Sequence, residues 1–216
     1  MFTNIVFSDP DEVAIRLSAL GVSRDALMEA INQGHMRRTM LTPNHPNIFP
    51  GLVMWGECVA GLRNQLRPLG WVRHVLGNYE STVNYDTKLA IAVASGDEAT
   101  GLLHATPSNR SRKGRNTVNA IEANRQDDLF PELLTSHIDI VHPENQDTWI
   151  LLHHTDILKK EIRVEFSKPW SIGEDGKIKI WSERLIIGEI SFDDDIEDLI
   201  EPDDMNIDFN ITRKAS

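Results

Sequence analysis

Glu161-Ile-Arg-Val-Glu-Phe166 alternates apolar and charged residues without a break. That period of two predicts a β-strand, with Ile162, Val164 and Phe166 on the core face and Glu161, Arg163 and Glu165 in water. Just upstream, Thr148-Trp-Ile-Leu-Leu152 has strand character. Beyond the Gly173-Glu-Asp-Gly176 turn, Ile178 and Ile180 repeat the alternation, and Arg184 to Ile190 supplies a last strand. Further back, Lys88-Leu-Ala-Ile-Ala-Val-Ala94 is a continuous apolar run, as expected for a strand covered on both faces. Ser136-His-Ile-Asp-Ile-Val141 reads as another strand. Strands that follow one another through turns predict an antiparallel, meander-like sheet rather than βαβ units.

The front of the chain has a helical period instead. Asp9 or Asp11 can cap a first helix whose stripe is Val13, Ile15 to Leu17 and Leu20. Gly21-Val22-Ser23 breaks it, and Ser23 can cap a second helix carrying Ala26, Leu27, Ala30 and Ile31 that stops at Gly34. The three prolines of Leu41-Thr-Pro-Asn-His-Pro-Asn-Ile-Phe-Pro50 predict a pinned loop. A third helix runs from about Gly51 to Arg67, with Val59, Leu62 and Leu66 on one face, and Thr117 to Arg125 predicts a short fourth. The expected fold is α+β: N-terminal helices packed with a mainly antiparallel β-sheet, followed by an acidic C-terminal tail. Residues 1–80 form the helical region, 81–192 a sheet-rich region making one compact unit with it, and 193–216 the tail.

Charge is unevenly placed. The net charge of −11 includes ten acids and no base between residues 189 and 208, which leaves residues 1–188 at 23 acids and 20 bases. The body is nearly neutral, and acidity is a property of the tail. Cys58, the single cysteine, excludes an internal disulfide or a Cys-rich zinc site, and its apolar neighbours predict a buried, inert thiol. The N-terminus has no basic segment leading an apolar one, and no apolar run approaches the ~20 residues that span a bilayer. The expectation is a cytoplasmic protein without membrane contact.

Four segments bear on function. The Asp11–Gly34 helix pair has the spacing of a helix-turn-helix, although Asp25 and Glu29 on the second helix oppose phosphate and the basic residues Arg37 and Arg38 come only after it. Plain helical packing gives the same pattern. Ser108-Asn-Arg-Ser-Arg-Lys-Gly-Arg-Asn-Thr117 crowds Arg110, Arg112, Lys113 and Arg115 into a loop without an acid. The loop runs into a helix whose first amides are unpaired and carry the positive end of the dipole, which is a phosphate-binding arrangement. Upstream, the turn Ser95-Gly-Asp-Glu-Ala-Thr-Gly101 presents Asp97 and Glu98, carboxylates able to hold Mg²⁺ beside a bound phosphate, or simply to build the turn. Glu165-Phe-Ser-Lys168 is one residue too long for the Glu-x-Lys of a nuclease strand. In the tail, Ile196, Leu199 and Ile200 would share a helical face among acids, which suits a basic partner groove or a fold-back onto the Arg110–Arg115 loop. A solubilising, disordered end gives the same composition and is the favoured reading.

His35, His45, His74, His104, His137, His142, His153 and His154 show no metal-ligand spacing, and His153 and His154 point to opposite faces of a strand. These features lead to a non-catalytic accessory or regulatory protein of a nucleic-acid-linked system, binding phosphate through Arg110, Arg112, Lys113 and Arg115 with help from Arg37 and Arg38, and needing no cofactor. A metal-dependent phosphodiesterase using Asp97 and Glu98 with Mg²⁺ is one alternative. A protein–protein adaptor acting through residues 193–208 is the other.

Overall fold

Local capping sets the helices. The Asp9 carboxylate accepts from the amides of Asp11 and Glu12 and starts α1 (Pro10–Ala19), with Pro10 at the position where a missing N–H costs nothing. Gly21, at φ +69°, turns the chain, and the Ser23 hydroxyl caps α2 (Arg24–Thr39) through the Ala26 amide. α3 (Phe49–Leu66) follows the proline loop. α2 does not stop at Gly34 as its sequence predicts. Gly34 is buried at the crossing of α2 and α3, where a Cβ would lie 2.8 Å from the Met54 carbonyl oxygen and overlap the Cys58 sulfur. Glycine here allows close helix approach rather than ending the helix. Cys58 is fully buried, and burial pushes its thiol pKa up, as an inert core residue requires.

The computed structural model describes residues 4–129 and 146–193, so the segments read above as a strand at 136–141 and as a tail beyond Asp193 lie outside the described residues. Among the described residues seven strands form one sheet: β1 (Ile5–Phe7), β2 (Val72–Leu76), β3 (Tyr79–Asn84), β4 (Leu89–Ser95), β5 (Asp147–Asp156), β6 (Glu161–Ile172) and β7 (Ile178–Ser191). Their order is β1-β7-β6-β5-β4-β3-β2. Four of the six pairings are antiparallel, so the fold is α+β, with α1, α2 and α3 at the front of the chain. β1 with β7 and β4 with β5 run parallel. Residues 1–80 thus also contribute strands, β1 at one edge of the sheet and β2 with the start of β3 at the other.

One face of the sheet carries the main core. Ile91, Val93, Trp149, Leu151, Ile162, Val164, Phe166 and Leu185 meet α1, α2 and α3 through Val13, Leu17, Leu27, Ile31, Met54 and Leu62. The other face is covered by α4 (Arg115–Leu129), by residues 96–114 and by the end of the β6–β7 hairpin, over a smaller cluster of Ala94, Ile121, Ile150, Leu152, Ile178 and Trp181. This second cover corrects the expected orientation of β6. Arg163 and Glu165 do face away from the main core, but they are 6% and 0% exposed. Register shifts at Lys168/Pro169, Pro169/Ser171 and Ser171/Ile172 re-aim the hairpin end. They place Ile178 and Trp181 together inside and leave Ile180 41% exposed, so Ile178 and Ile180 do not share a face.

Where Pro169 has no N–H to offer, β6 leaves the ladder and α4 supplies the missing rung. The Asn124 side-chain amide donates to the carbonyls of Thr148 (2.9 Å) and Pro169 (3.0 Å), and its oxygen accepts from the Thr148 amide (2.7 Å).

Candidate functional site

The basic loop lies on the α4 side of the sheet, and it is stitched down although it contains no regular structure. Asn109 is buried. Its oxygen accepts from the Ile178 amide at 2.7 Å and its nitrogen donates to the Gly176 and Ser111 carbonyls. The Ser108 hydroxyl donates to the Ile178 carbonyl, the Trp181 indole to the Pro107 carbonyl, the Arg110 amide to the Ser95 carbonyl and the Lys113 amide to the Gly176 carbonyl. Lys177 donates to the Arg110 carbonyl. These bonds hold Arg110, Arg112 and Lys113 against the β6–β7 turn and bring in Lys177, a basic residue missed in the sequence because it lies sixty-odd positions downstream of them. The Val118 amide closes the first turn of α4 on the Gly114 carbonyl, so Lys113 and Arg115 bracket the start of that helix. Arg112 and Arg115 are exposed.

Beneath the loop the sheet is split. β3 and β4 pair only from Thr82↔Ile91 to Asn84↔Leu89, so beyond Ile91 the strands part. Trp55 of α3 reaches into the opening and its indole N–H donates to the Val93 carbonyl at 3.2 Å, replacing a ladder bond. The result is a cleft of about 60 Å³ whose walls include Trp55, Tyr79, Ser95, Ser111, Lys113 and Thr117. Among the described residues the Lys113 ammonium has no carboxylate partner. Burial, reinforced by the like charge of Lys177, pushes its pKa down to about 8. Burial raises the Tyr79 hydroxyl to about 12, with the nearby Thr148 acting in the opposite direction. Glu80 also borders the cleft. Burial lifts its carboxyl, but hydrogen bonds from Arg73 (3.0 Å) and Arg63 (2.6 Å) outweigh that and hold it below the usual range.

The other candidates are dispersed. Arg38 is 1% exposed and reaches the Thr155 hydroxyl, an interior position, whereas Arg37 is exposed and 3.9 Å from Glu57. Both belong to the helical side of the sheet, so they do not extend the surface formed by Arg110, Arg112, Lys113 and Arg115. The second helix of the helix-turn-helix pattern is packed against α3, and its first residue, Arg24, donates to the Ile187 carbonyl of β7. Its N-terminal turn is therefore engaged with the sheet.

Asp97 builds its own turn. One carboxylate oxygen accepts from the Ala99 amide and the other from the Ser108 amide, which also anchors the start of the basic loop. Glu98 is exposed. Among the described residues no three His, Cys, Asp or Glu side chains are grouped as metal ligands. Glu165 and Lys168 lie on opposite faces, Lys168 on Asp147 and Glu165 on Arg184.

Glu165 and Arg184 form the most buried ion pair described here, with the Arg184 side chain 2% exposed and Glu165 0%. Two guanidinium bonds reach the carboxylate, at 3.1 and 2.7 Å, and the rest of the guanidinium donates to the Ala105 and Leu102 carbonyls. Glu165 also accepts from the Gly101 amide and the Ser167 hydroxyl. The pair thereby fastens residues 101–105, the stretch between the Asp97 turn and the basic loop, to the sheet. No helix among the described residues is long and apolar enough to cross a membrane. Compared with models of protein families, with curated proteins and with solved structures, the chain matches none.

Proposed function

We propose that this protein is a non-catalytic accessory or regulatory component of a nucleic-acid-linked system, and that it grips phosphate through the surface formed by residues 110–115. The observation that supports this best is the rigid mounting of that loop. Side-chain to main-chain bonds from Ser108, Asn109 and Lys177 fix it beside the start of α4. Such a surface meets an anion with little ordering cost, and each phosphate contact releases condensed counterions.

The test is fluorescence anisotropy with single- and double-stranded DNA and RNA at 20–30 mM salt, followed by a salt titration. Binding should weaken with a log–log slope near ~0.9 per phosphate contact on duplex DNA and ~0.7 on single strands. The R112A/R115A variant should bind more weakly, with a slope shallower by about one to two. Absence of binding to any of these probes at low salt would overturn the proposal. The acidic residues 193–208 are the natural docking segment for a basic protein partner in such an assembly.

A further inference from the structure

We propose that the cleft between β3 and β4 receives a terminal phosphate, the phosphomonoester at the end of a nucleic-acid strand, while the surrounding basic residues hold the strand leading to it. This rests on the function proposed above and names the group the site selects. The cleft is about 60 Å³, several times the ~10–15 Å³ that one water needs, and so has room for a tetrahedral group of five heavy atoms. Its polar lining matches that group. Lys113 offers an ammonium with no carboxylate partner among the described residues, and Ser95 and Thr117 line the cleft with hydroxyl-bearing side chains. The start of α4, bracketed by Lys113 and Arg115, sets the positive end of a 15-residue helix beside the cleft, with Thr117 on the wall.

Among the described residues the one carboxylate on the wall, Glu80, is held by two guanidiniums, Arg63 and Arg73, so their local balance stays positive. A desolvated ammonium beside a second cation, Lys177, costs free energy in the empty protein, and a bound dianion removes that cost. Shape decides between phosphate types. An internal diester carries chain on both sides and needs an open groove. A recess between two parted strands, floored by the Trp55 indole on the Val93 carbonyl, suits a group at which the chain ends.

The experiment compares, on the intact protein, ten-nucleotide strands carrying a 5′-phosphate, a 3′-phosphate or hydroxyls at both ends, each labelled internally and measured at one salt concentration. At least one end-phosphorylated strand should bind tenfold or more tightly than the unphosphorylated strand. Inorganic phosphate should compete for that increment, and K113M or T117V should each reduce it at least fivefold with the melting transition retained. Equal affinity for all three strands would overturn the terminal-phosphate site while leaving surface binding by the loop in place. Failure of all three strands to bind would overturn both readings. Because the decisive comparison is made on the unmodified chain, it holds even for a variant that does not fold.

Discussion

Replacing the Glu165–Arg184 pair by apolar residues should not restore stability, contrary to the usual behaviour of buried ion pairs. R184M alone leaves a buried carboxylate with only Gly101 and Ser167 as partners, and breaking a buried pair in this way costs about 3–5 kcal/mol. For an isolated pair, removing the second charge as well is commonly neutral or favourable by ~1–4 kcal/mol. Here the double variant E165L/R184M also takes the partner from the half-buried Gly101 amide and Ala105 carbonyl, while the carbonyl of the exposed Leu102 can turn to water. At ~1–3 kcal/mol for each main-chain group left unsatisfied, their loss matches or exceeds that gain. Urea unfolding followed by tryptophan fluorescence should therefore place the double variant below the parent rather than above it. Amide exchange should show residues 99–106 losing protection before β6 and β7 do. A double variant as stable as the parent, with the same protection in that stretch, would refute the view that the pair exists to bind the loop.

Three further perturbations follow from the same geometry. N124L removes the partner of three main-chain groups at Thr148 and Pro169 and should lower stability by about 3 kcal/mol or more, read by denaturant unfolding. G34A forces a methyl into the Met54 carbonyl and the Cys58 sulfur and should cost about 1–3 kcal/mol in the same assay, partly recovered by a second change, C58A. The Lys113 pKa of about 8 lies below the unfolded value of 10.5, so the folded state resists protonation. The resulting penalty is full below pH 8 and fades as pH rises from 8 toward 10.5, where the unfolded chain holds more protons. Melting temperature should therefore rise between pH 7 and 9.5, and K113M should melt higher at pH 7 and lack that component of the rise.

What the sequence made legible was whatever depends on near neighbours. The caps at Asp9 and Ser23, the apolar run from Leu89 to Ala94 and the alternation of Ile162, Val164 and Phe166 announce their elements within a few residues. Gly34 misled because the same absence of a Cβ serves a helix end and a helix crossing, and only the distant Met54 and Cys58 decide between them. Arg163 and Glu165 misled because a charged residue in an alternating strand reads as solvent-facing unless its partner is known, and Arg184 lies 19 positions away. Of the candidate site, Arg110, Arg112, Lys113 and Arg115 were visible as a cluster of like charge. Lys177, Trp55 and Tyr79 were not, since a parted pair of strands leaves no periodic mark in either strand. The hairpin of β2 and β3 was missed for a related reason. β2 is an edge strand with Val72, Val75 and Leu76 all exposed, so no buried face imposes a period.

The parallel pairing of β1 with β7 joins Ile5 to Glu183, and the ribosome makes those partners about 180 residues apart. At ~5–20 residues per second, Ile5 to Phe7 wait on the order of ten to thirty seconds for a strand to lie against. α1, α2 and α3 emerge early, but the sheet face that covers Val13, Leu17, Leu27 and Ile31 is completed only with Leu185 and Ile187. A nascent chain halted before β7 therefore displays the apolar side of its helices together with an unpaired edge on β6. Vectorial synthesis thus leaves these surfaces uncovered until β7 has emerged. A circular permutant that starts at β6 and joins the present ends through a linker would bring β7 and β1 out together and shorten that interval.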